Sequence, residues 1–161
     1  MFEDQLLDPV RHDRHAFTSG VSDLDDYLHR FAHQQSKKKV TVVRVLVDTD
    51  APTTILGYYS LSAAQVDAVR LDQRAQQKPP RYPVPCFRMG RFAVHASCHG
   101  RGYGRLLMGC AVLRCLEARK HVAAYALLVD AKSAEAKAFY EHYGFTPCRD
   151  LPMTLYLPLG G

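Results

Sequence analysis

From Ser22 to about residue 36 the apolar side chains fall three or four positions apart, at Leu24, Leu28 and Phe31. That spacing places them on one face of a helix and predicts a helix over 22–36. Ser22 stands as its N-cap with Asp25 three positions on, a variant of the capping box. Lys37, Lys38 and Lys39 follow, a solvated helix end whose charges also suit its terminal carbonyls. Over 40–47 the pattern changes to β-branched alternation and reads as a strand. After a turn at Asp48, Asp50 and Pro52 a second strand is predicted over 54–63, which completes a hairpin.

Residues 65–85 differ in character. They hold Arg70, Arg74, Lys78 and Arg81, a glutamine cluster, and Pro79, Pro80, Pro83 and Pro85. A short helix followed by a stiff, extended crossing is expected there. Beyond it the pattern predicts a strand over 87–95, a glycine-rich turn, and an apolar helix over 102–119. A strand over 122–129, a helix over 133–143 stopped by Gly144, and a last strand over 155–157 complete the chain. The order is β, α, β, β, short α, β, α, β, α, β. Alternation of strand and helix in the second half implies parallel pairing there, whereas the hairpin is antiparallel. The fold class is therefore α/β with a mixed sheet.

Composition narrows this picture. The 161 residues, 47% of them hydrophobic, suffice for one substantial core, so a single domain over 1–161 is expected. Charged residues at 23% are an ordinary share for a chain that folds throughout. A net charge of +5 favours an anionic partner. It does not separate nucleic acid from an anionic cofactor or from plain solubility. Cys86, Cys98, Cys110, Cys115 and Cys148 form an odd set with no CxxC pair, and so read as reduced, small apolar residues. The opening MFEDQLLD lacks the basic-then-apolar form of a secretory signal, and the apolar run 106–113 is too short to span a bilayer. A cytoplasmic protein without a membrane segment is expected.

Between a strand and a helix lies His99-Gly100-Arg101-Gly102-Tyr103-Gly104. Glycines there allow a tight turn that exposes successive N–H groups. With the positive end of the following helix those groups suit a pyrophosphate, and Arg101 and Arg105 add charge. A tight turn without a ligand explains the same residues. Two other phosphate loops are excluded by spacing. A P-loop needs Gly-Lys-Ser/Thr, and Arg105-Leu106 follow Gly104; GxGxxG needs glycine where Arg105 or Leu107 stands.

The loop resembles the acetyl-CoA motif of the GNAT acetyltransferases, Gln/Arg-x-x-Gly-x-Gly/Ala, with His99 in its first place. Arg91-Phe92-Ala93-Val94 resembles the family strand whose backbone pairs with the pantetheine arm. Ala136, Phe139-Tyr140 and Tyr143-Gly144-Phe145 resemble its second signature, A-x-x-F-Y-x-x-x-G-F. Gly57-Tyr58-Tyr59-Ser60-Leu61, Tyr82-Pro83-Val84-Pro85 and Val129-Asp130-Ala131-Lys132 are together similar to the GNAT toxins of bacterial type II toxin–antitoxin pairs, from about Phe17 onward. The resemblance implies a mixed, mostly antiparallel sheet whose parallel central strands splay around acetyl-CoA. It also implies a cytoplasmic enzyme that acetylates the α-amino group of aminoacyl-tRNA and blocks translation. A ribbon-helix-helix antitoxin and a homodimer are the implied partners, and no metal is.

Carried over position by position, the resemblance makes Tyr140 the general acid. It makes Phe92, Ala93, Val94, His99, Gly100, Arg101, Gly102, Tyr103, Gly104, Arg105 and Ser133 the cofactor-binding set. Ser133 stands where many members have Asn. By spacing alone, Ala136, Phe139, Tyr140 and Tyr143 are one apolar helix face. A tyrosine has an ordinary pKa of about 10 and is able to donate a proton at neutral pH.

The strand over 87–95 holds no Asp or Glu, so no carboxylate base is evident; a water chain or His95 fills that place. An α-amine titrates near 8, against about 10.4 for lysine, and needs less help to become neutral. Among the basic residues of 70–91, Arg74, Lys78, Arg81 and Arg91 are the expected tRNA contacts. A solvated basic loop and antitoxin contact are the other uses of that stretch. His29 and His33 have the spacing of a metal pair but no evident third ligand. Two other functions fit the same chain: a GNAT enzyme for a small-molecule or protein amine, and a cofactor-binding module without turnover.

Overall fold

The computed structural model describes residues 1–71 and 83–160. Its strands are β1 (Phe2–Leu6), β2 (Val42–Asp48), β3 (Gly57–Val66), β4 (Val84–Val94), β5 (Ala126–Asp130), β6 (Thr146–Cys148) and β7 (Leu151–Pro158). Its α-helices are α1 (Ser22–Asp26), α2 (Ala32–Lys37), α3 (Tyr103–Ala118) and α4 (Ala134–His142). The strands form one sheet in the order β1-β2-β3-β4-β5-β7-β6. Arg74, Lys78 and Arg81, with most of the short helix and crossing expected around them, lie outside the described residues. Ala68–Arg70 form a 3-10 turn. The chain divides into two compact units, Met1–Ser62 with Gly90–Leu113 and Ala63–Met89 with Arg114–Gly161.

In the first unit β1 and β3 flank β2 and run antiparallel to it, with Phe2 opposite Asp48 and Leu46 opposite Gly57. The helix over 22–37 is continuous but not regular. A π-helical turn, Tyr27–Phe31, separates α1 from α2. Its wider winding turns Tyr27, Leu28 and Ala32 into the core and leaves Phe31 exposed. Phe31 therefore departs from the face that its spacing assigns it. Ser22 also differs from its expected place: it is the first helical residue, and Val21 caps the helix with no side-chain bond. Asp25 turns instead to the preceding loop, where it accepts from the Ser19 amide at 2.8 Å and the Ser19 hydroxyl at 2.7 Å. Phe17, Tyr27, Leu28, Val45 and Tyr58 meet in this unit's core.

In the second unit β4 and β5 pair in parallel, from Cys86 opposite Ala126 to Met89 opposite Val129. β5 and β7 are antiparallel, which the simple alternation of strand and helix does not anticipate. The cause is an extra strand. After α4 the chain forms β6 at the sheet edge, then reverses through Arg149 and Asp150 into β7. Asp150 takes the turn at φ 64°, a left-handed conformation that aspartate tolerates better than most residues. Val84, Cys86, Ala126, Leu128, Cys148 and Tyr156 meet in its core. Buried Cys86 and Cys115 are pushed up to about 11 and about 12 by loss of solvation. They are packed thiols, not nucleophiles. Among the described residues no helix is long and apolar enough to cross a membrane.

Edge strand β1 is held by a buried polar knot. Asp4 accepts from Arg44 Nε at 2.6 Å and from the Tyr59 hydroxyl at 2.6 Å. Both charged side chains are nearly buried, at 11% and 13% exposure. Removing one member of such a pair strands the other charge without solvent. Asp4→Ala is expected to lower unfolding stability by about 3 kcal/mol, read as a lower urea midpoint. A midpoint within error of wild type would show that Arg44 finds water or another acceptor.

Candidate active site

In the first unit, β4 ends at Val94 and passes through a 3-10 turn, Ala96–Cys98, and a loop at 99–102 into α3. Gly100 and Gly102 have φ of +74° and +82°, and no heavy atom lies within 4 Å of where a Cβ would stand on either. Both glycines are needed for conformation, and the space beside them is open. The first bond of α3 runs from the Leu106 amide to the Gly102 carbonyl. The amides of Tyr103, Gly104 and Arg105 precede it and belong to the unsatisfied end of the helix. Arg101 and Arg105 are exposed beside them, and the Arg101 guanidinium lies 5.5 Å from the centre of the Tyr103 ring. These residues fit a pyrophosphate.

His99 serves the loop by its side chain. Its Nε2 donates to the Val94 carbonyl at 2.9 Å and ties the loop to the strand end. Phe92, Ala93 and Val94 close β4 as expected, and Ala93 is buried. The Ala93 carbonyl approaches Gly57 so closely that a Cβ there would stand 3.0 Å from its oxygen. Phe92 to Arg105 are thus one local assembly of strand, loop and helix start. Arg91 is exposed, and its guanidinium stacks on the Tyr27 ring at 4.1 Å from the centroid.

His95 has a different role from the one its position suggests. Its Nδ1 accepts from the Ser97 amide at 3.1 Å and sits 2.9 Å from the Ser97 hydroxyl. The acceptor nitrogen of the neutral ring is therefore engaged, and Nε2 carries the proton. His29 likewise donates Nε2 to the Phe17 carbonyl at 2.8 Å, a structural bond rather than half of a metal pair.

In the second unit, Ser133 and Tyr140 occupy opposite ends of α4. Ser133 is its N-cap and accepts from the Ala136 amide at 3.1 Å, which fixes the start of the helix. Tyr140 is 9% exposed and packs edge-on and tilted against Phe139 and Phe145, each at 5.5 Å. Burial, and then the negative charge of Asp130, push its phenol up to about 12. Asp130 ends β5. It pairs with Arg88 and accepts from the Thr154 hydroxyl at 2.8 Å. Spacing gives no sign of this network, because its members come from three strands and meet only across the sheet. It also takes Arg88 out of the free basic residues of 70–91.

The chain matches the family model described as the acetyltransferase (GNAT) domain over residues 45–147. A tRNA-acetylating toxin of Mycobacterium tuberculosis is 33% identical over 145 residues, 88% of this chain and 83% of that protein. AtaT complexed with acetyl-methionyl-tRNAfMet superposes with a TM-score of 0.90 at 25% identity, covering 98% of this chain and 95% of that one. AtaTR bound with AcCoA superposes with a TM-score of 0.84 at 26% identity, covering 98% and 94%.

Both burial and the Asp130 charge oppose loss of the Tyr140 proton, so the phenol stays neutral to about pH 12. Alkaline titration of tyrosinate absorbance should lose a step near 12 in Tyr140→Phe. A lost step near the ordinary value of about 10 would mean that the ring is solvated.

Proposed function

Because the chain belongs to the GNAT acetyltransferase family, we propose that it moves an acetyl group from acetyl-CoA to the α-amino group of aminoacyl-tRNA and blocks translation. It would do so as the toxin of a toxin–antitoxin pair. The observation that carries this reading is the likeness along nearly the whole chain to a GNAT protein complexed with acetyl-methionyl-tRNAfMet. The toxin relative supports it from sequence. A cognate ribbon-helix-helix antitoxin, a homodimer, a cytoplasmic location and a single domain over 1–161 belong to the same proposal.

The residues divide the work as follows. The amides at the start of α3, the turn at Gly100 and Gly102, and Arg101 and Arg105 hold the pyrophosphate of acetyl-CoA. The end of β4, Phe92 to Val94, lies along the pantetheine arm. His99 holds the loop against that strand end, and Ser133, which caps α4, is a further proposed contact to the cofactor. Acetyl-CoA supplies the acetyl group as a reactive thioester. Tyr140 holds a proton that solvent does not remove at neutral pH and gives it from Oη to the departing sulfur. The N–C bond forms as the C–S bond breaks, and the amine releases its own proton to water.

A water route for that proton accords with the engaged Nδ1 of His95. It also accords with an α-amine, which is substantially neutral near pH 8. Arg91, held flat on Tyr27, and the basic residues Arg74, Lys78 and Arg81 are proposed contacts for the tRNA phosphates.

Labelled acetyl-CoA should transfer label to charged tRNA and not to uncharged tRNA. Tyr140→Phe should lower kcat by roughly 10²–10⁴-fold, the range of general acid catalysis, with acetyl-CoA affinity held. Label on free polyamines or peptides, with none on charged tRNA, would replace this reading with a small-molecule or protein amine. Undiminished kcat in Tyr140→Phe would remove Tyr140 from the chemistry.

A further inference from the structure

A groove of about 570 Å³ lies in the first unit, between the end of α2 and the chain that leaves β1. One wall carries His33, Lys37 and Lys39, and the other carries Gln5, Asp8 and Arg11. His33 and Lys37 are one helical turn apart and share a face of the helix. Lys39 reaches the same wall because the backbone turns there at φ 63°, a conformation uncommon for a residue with a long side chain.

The opposite wall is fixed by His12, which is 3% exposed. Its Nδ1 accepts from the Asp8 amide and its Nε2 donates to the Gln5 side-chain Oε1, each at 2.9 Å. The Leu7 amide bonds to the Val43 carbonyl at 3.0 Å and ties the same segment to β2. The groove is therefore built by bonds that do not involve its cations.

Its cations outnumber its carboxylates. Asp8 is the one carboxylate among the lining residues, and its Oδ1 is turned onto the amides of Val10 at 2.9 Å and Arg11 at 3.4 Å. Arg11, Lys37 and Lys39 are exposed and take part in no ion pair among the described residues. The Ser36 hydroxyl, also on the lining, is shielded from water and has no hydrogen-bond partner. Three exposed cations around an open groove match a run of phosphates. The lining holds no Phe, Tyr or Trp to stack a base, so it suits a nucleic-acid backbone and carries no means of reading sequence.

We propose that this groove, formed by Arg11, His33, Lys37 and Lys39, binds the phosphodiester backbone of the tRNA that the enzyme acetylates. The proposal rests on the function proposed above and adds a second phosphate-binding surface, separate in sequence from Arg74, Lys78, Arg81 and Arg91. The groove positions the body of the tRNA and takes no part in the chemistry.

The test is the double variant Lys37→Gln, Lys39→Gly, in the full chain. Glycine accepts a φ of 63° without strain, and glutamine is a good helix former. The variant should thus melt at or above the wild-type temperature, which separates lost charge from lost fold. Binding of labelled tRNA is followed by anisotropy across a salt series, beside KM for charged tRNA and for acetyl-CoA. The expected result is a roughly tenfold loss of tRNA affinity and a salt slope shallower by about 1–2, the counterion release of two phosphates. KM for acetyl-CoA stays unchanged. Wild-type affinity and slope in the variant overturn the groove, and leave the proposed function standing if wild type still acetylates charged tRNA. Tighter binding of inorganic triphosphate than of tRNA, lost in the variant, also overturns it in favour of a small-anion site. Loss of tRNA affinity in the variant, with no acetyl transfer by wild type, sinks the function alone.

Discussion

The strand, loop and helix start at residues 92–105 can be arranged as they are only because Gly57 has no side chain. A Cβ there would stand 3.0 Å from the Ala93 carbonyl oxygen and 3.1 Å from Leu107 Cδ2, closer than side-chain carbons settle in packed interiors. β3 thereby admits the last turn of β4 and the first turns of α3 together. Once α3 is seated, its amides open toward Gly100 and Gly102, and His99 closes back on Val94. An alanine at 57 would push on both sides of that assembly at once. The anion-binding geometry is thus set by a residue that faces no ligand, while the exposed glycines of the loop supply only the turn.

The second unit is organised around a charge instead of a space. Asp130 is held by Arg88 and Thr154 at the end of β5, so its negative charge has a fixed position. Tyr140 is buried nearby in an aromatic cluster, and both effects keep its proton on. A phenol with so high a pKa is a weak acid in water. Asp130 in turn is anchored to β4 through its pairing with Arg88. The two elements that alter Tyr140, its burial and Asp130, come from different parts of the sequence, and neither belongs to the signature around Phe139 and Tyr140.

The sequence made legible what local pattern encodes. The apolar helix α3, the positive-φ glycines before it, the helix stopped at Gly144 and the alternation of β2 all stand where the sequence puts them. What escaped depends on chain segments meeting later. β6 is three residues long, too short to register a period, yet it decides that β7 returns antiparallel to β5. The π turn at Tyr27–Phe31 follows from packing Tyr27 and Ala32 together, and it moves Phe31 to the surface against the 3.6-residue rule. Asp25 has the spacing of a capping partner, but Ser19 lies within reach and offers two donors. Ser133 adds a role that the signature does not announce: its hydroxyl oxygen caps the helix it begins.

Charge was the least legible property, because a basic residue in a sequence carries no record of its partner. Arg88 and Arg91 look alike in the stretch 70–91, yet one is neutralised by Asp130 and the other is stacked on Tyr27 with its charge still exposed. Lys37 and Lys39 read as the solvated end of a helix, and by helical rules that is what they are. Their importance comes from the left-handed turn at Lys39 and from a wall built across from them by His12, far off in sequence and unrelated by pattern. A protein with a net charge of +5 presents to an anion only the part of that charge left unpaired. Pairing in the folded chain, more than composition, therefore decides which of its surfaces a polyanion meets.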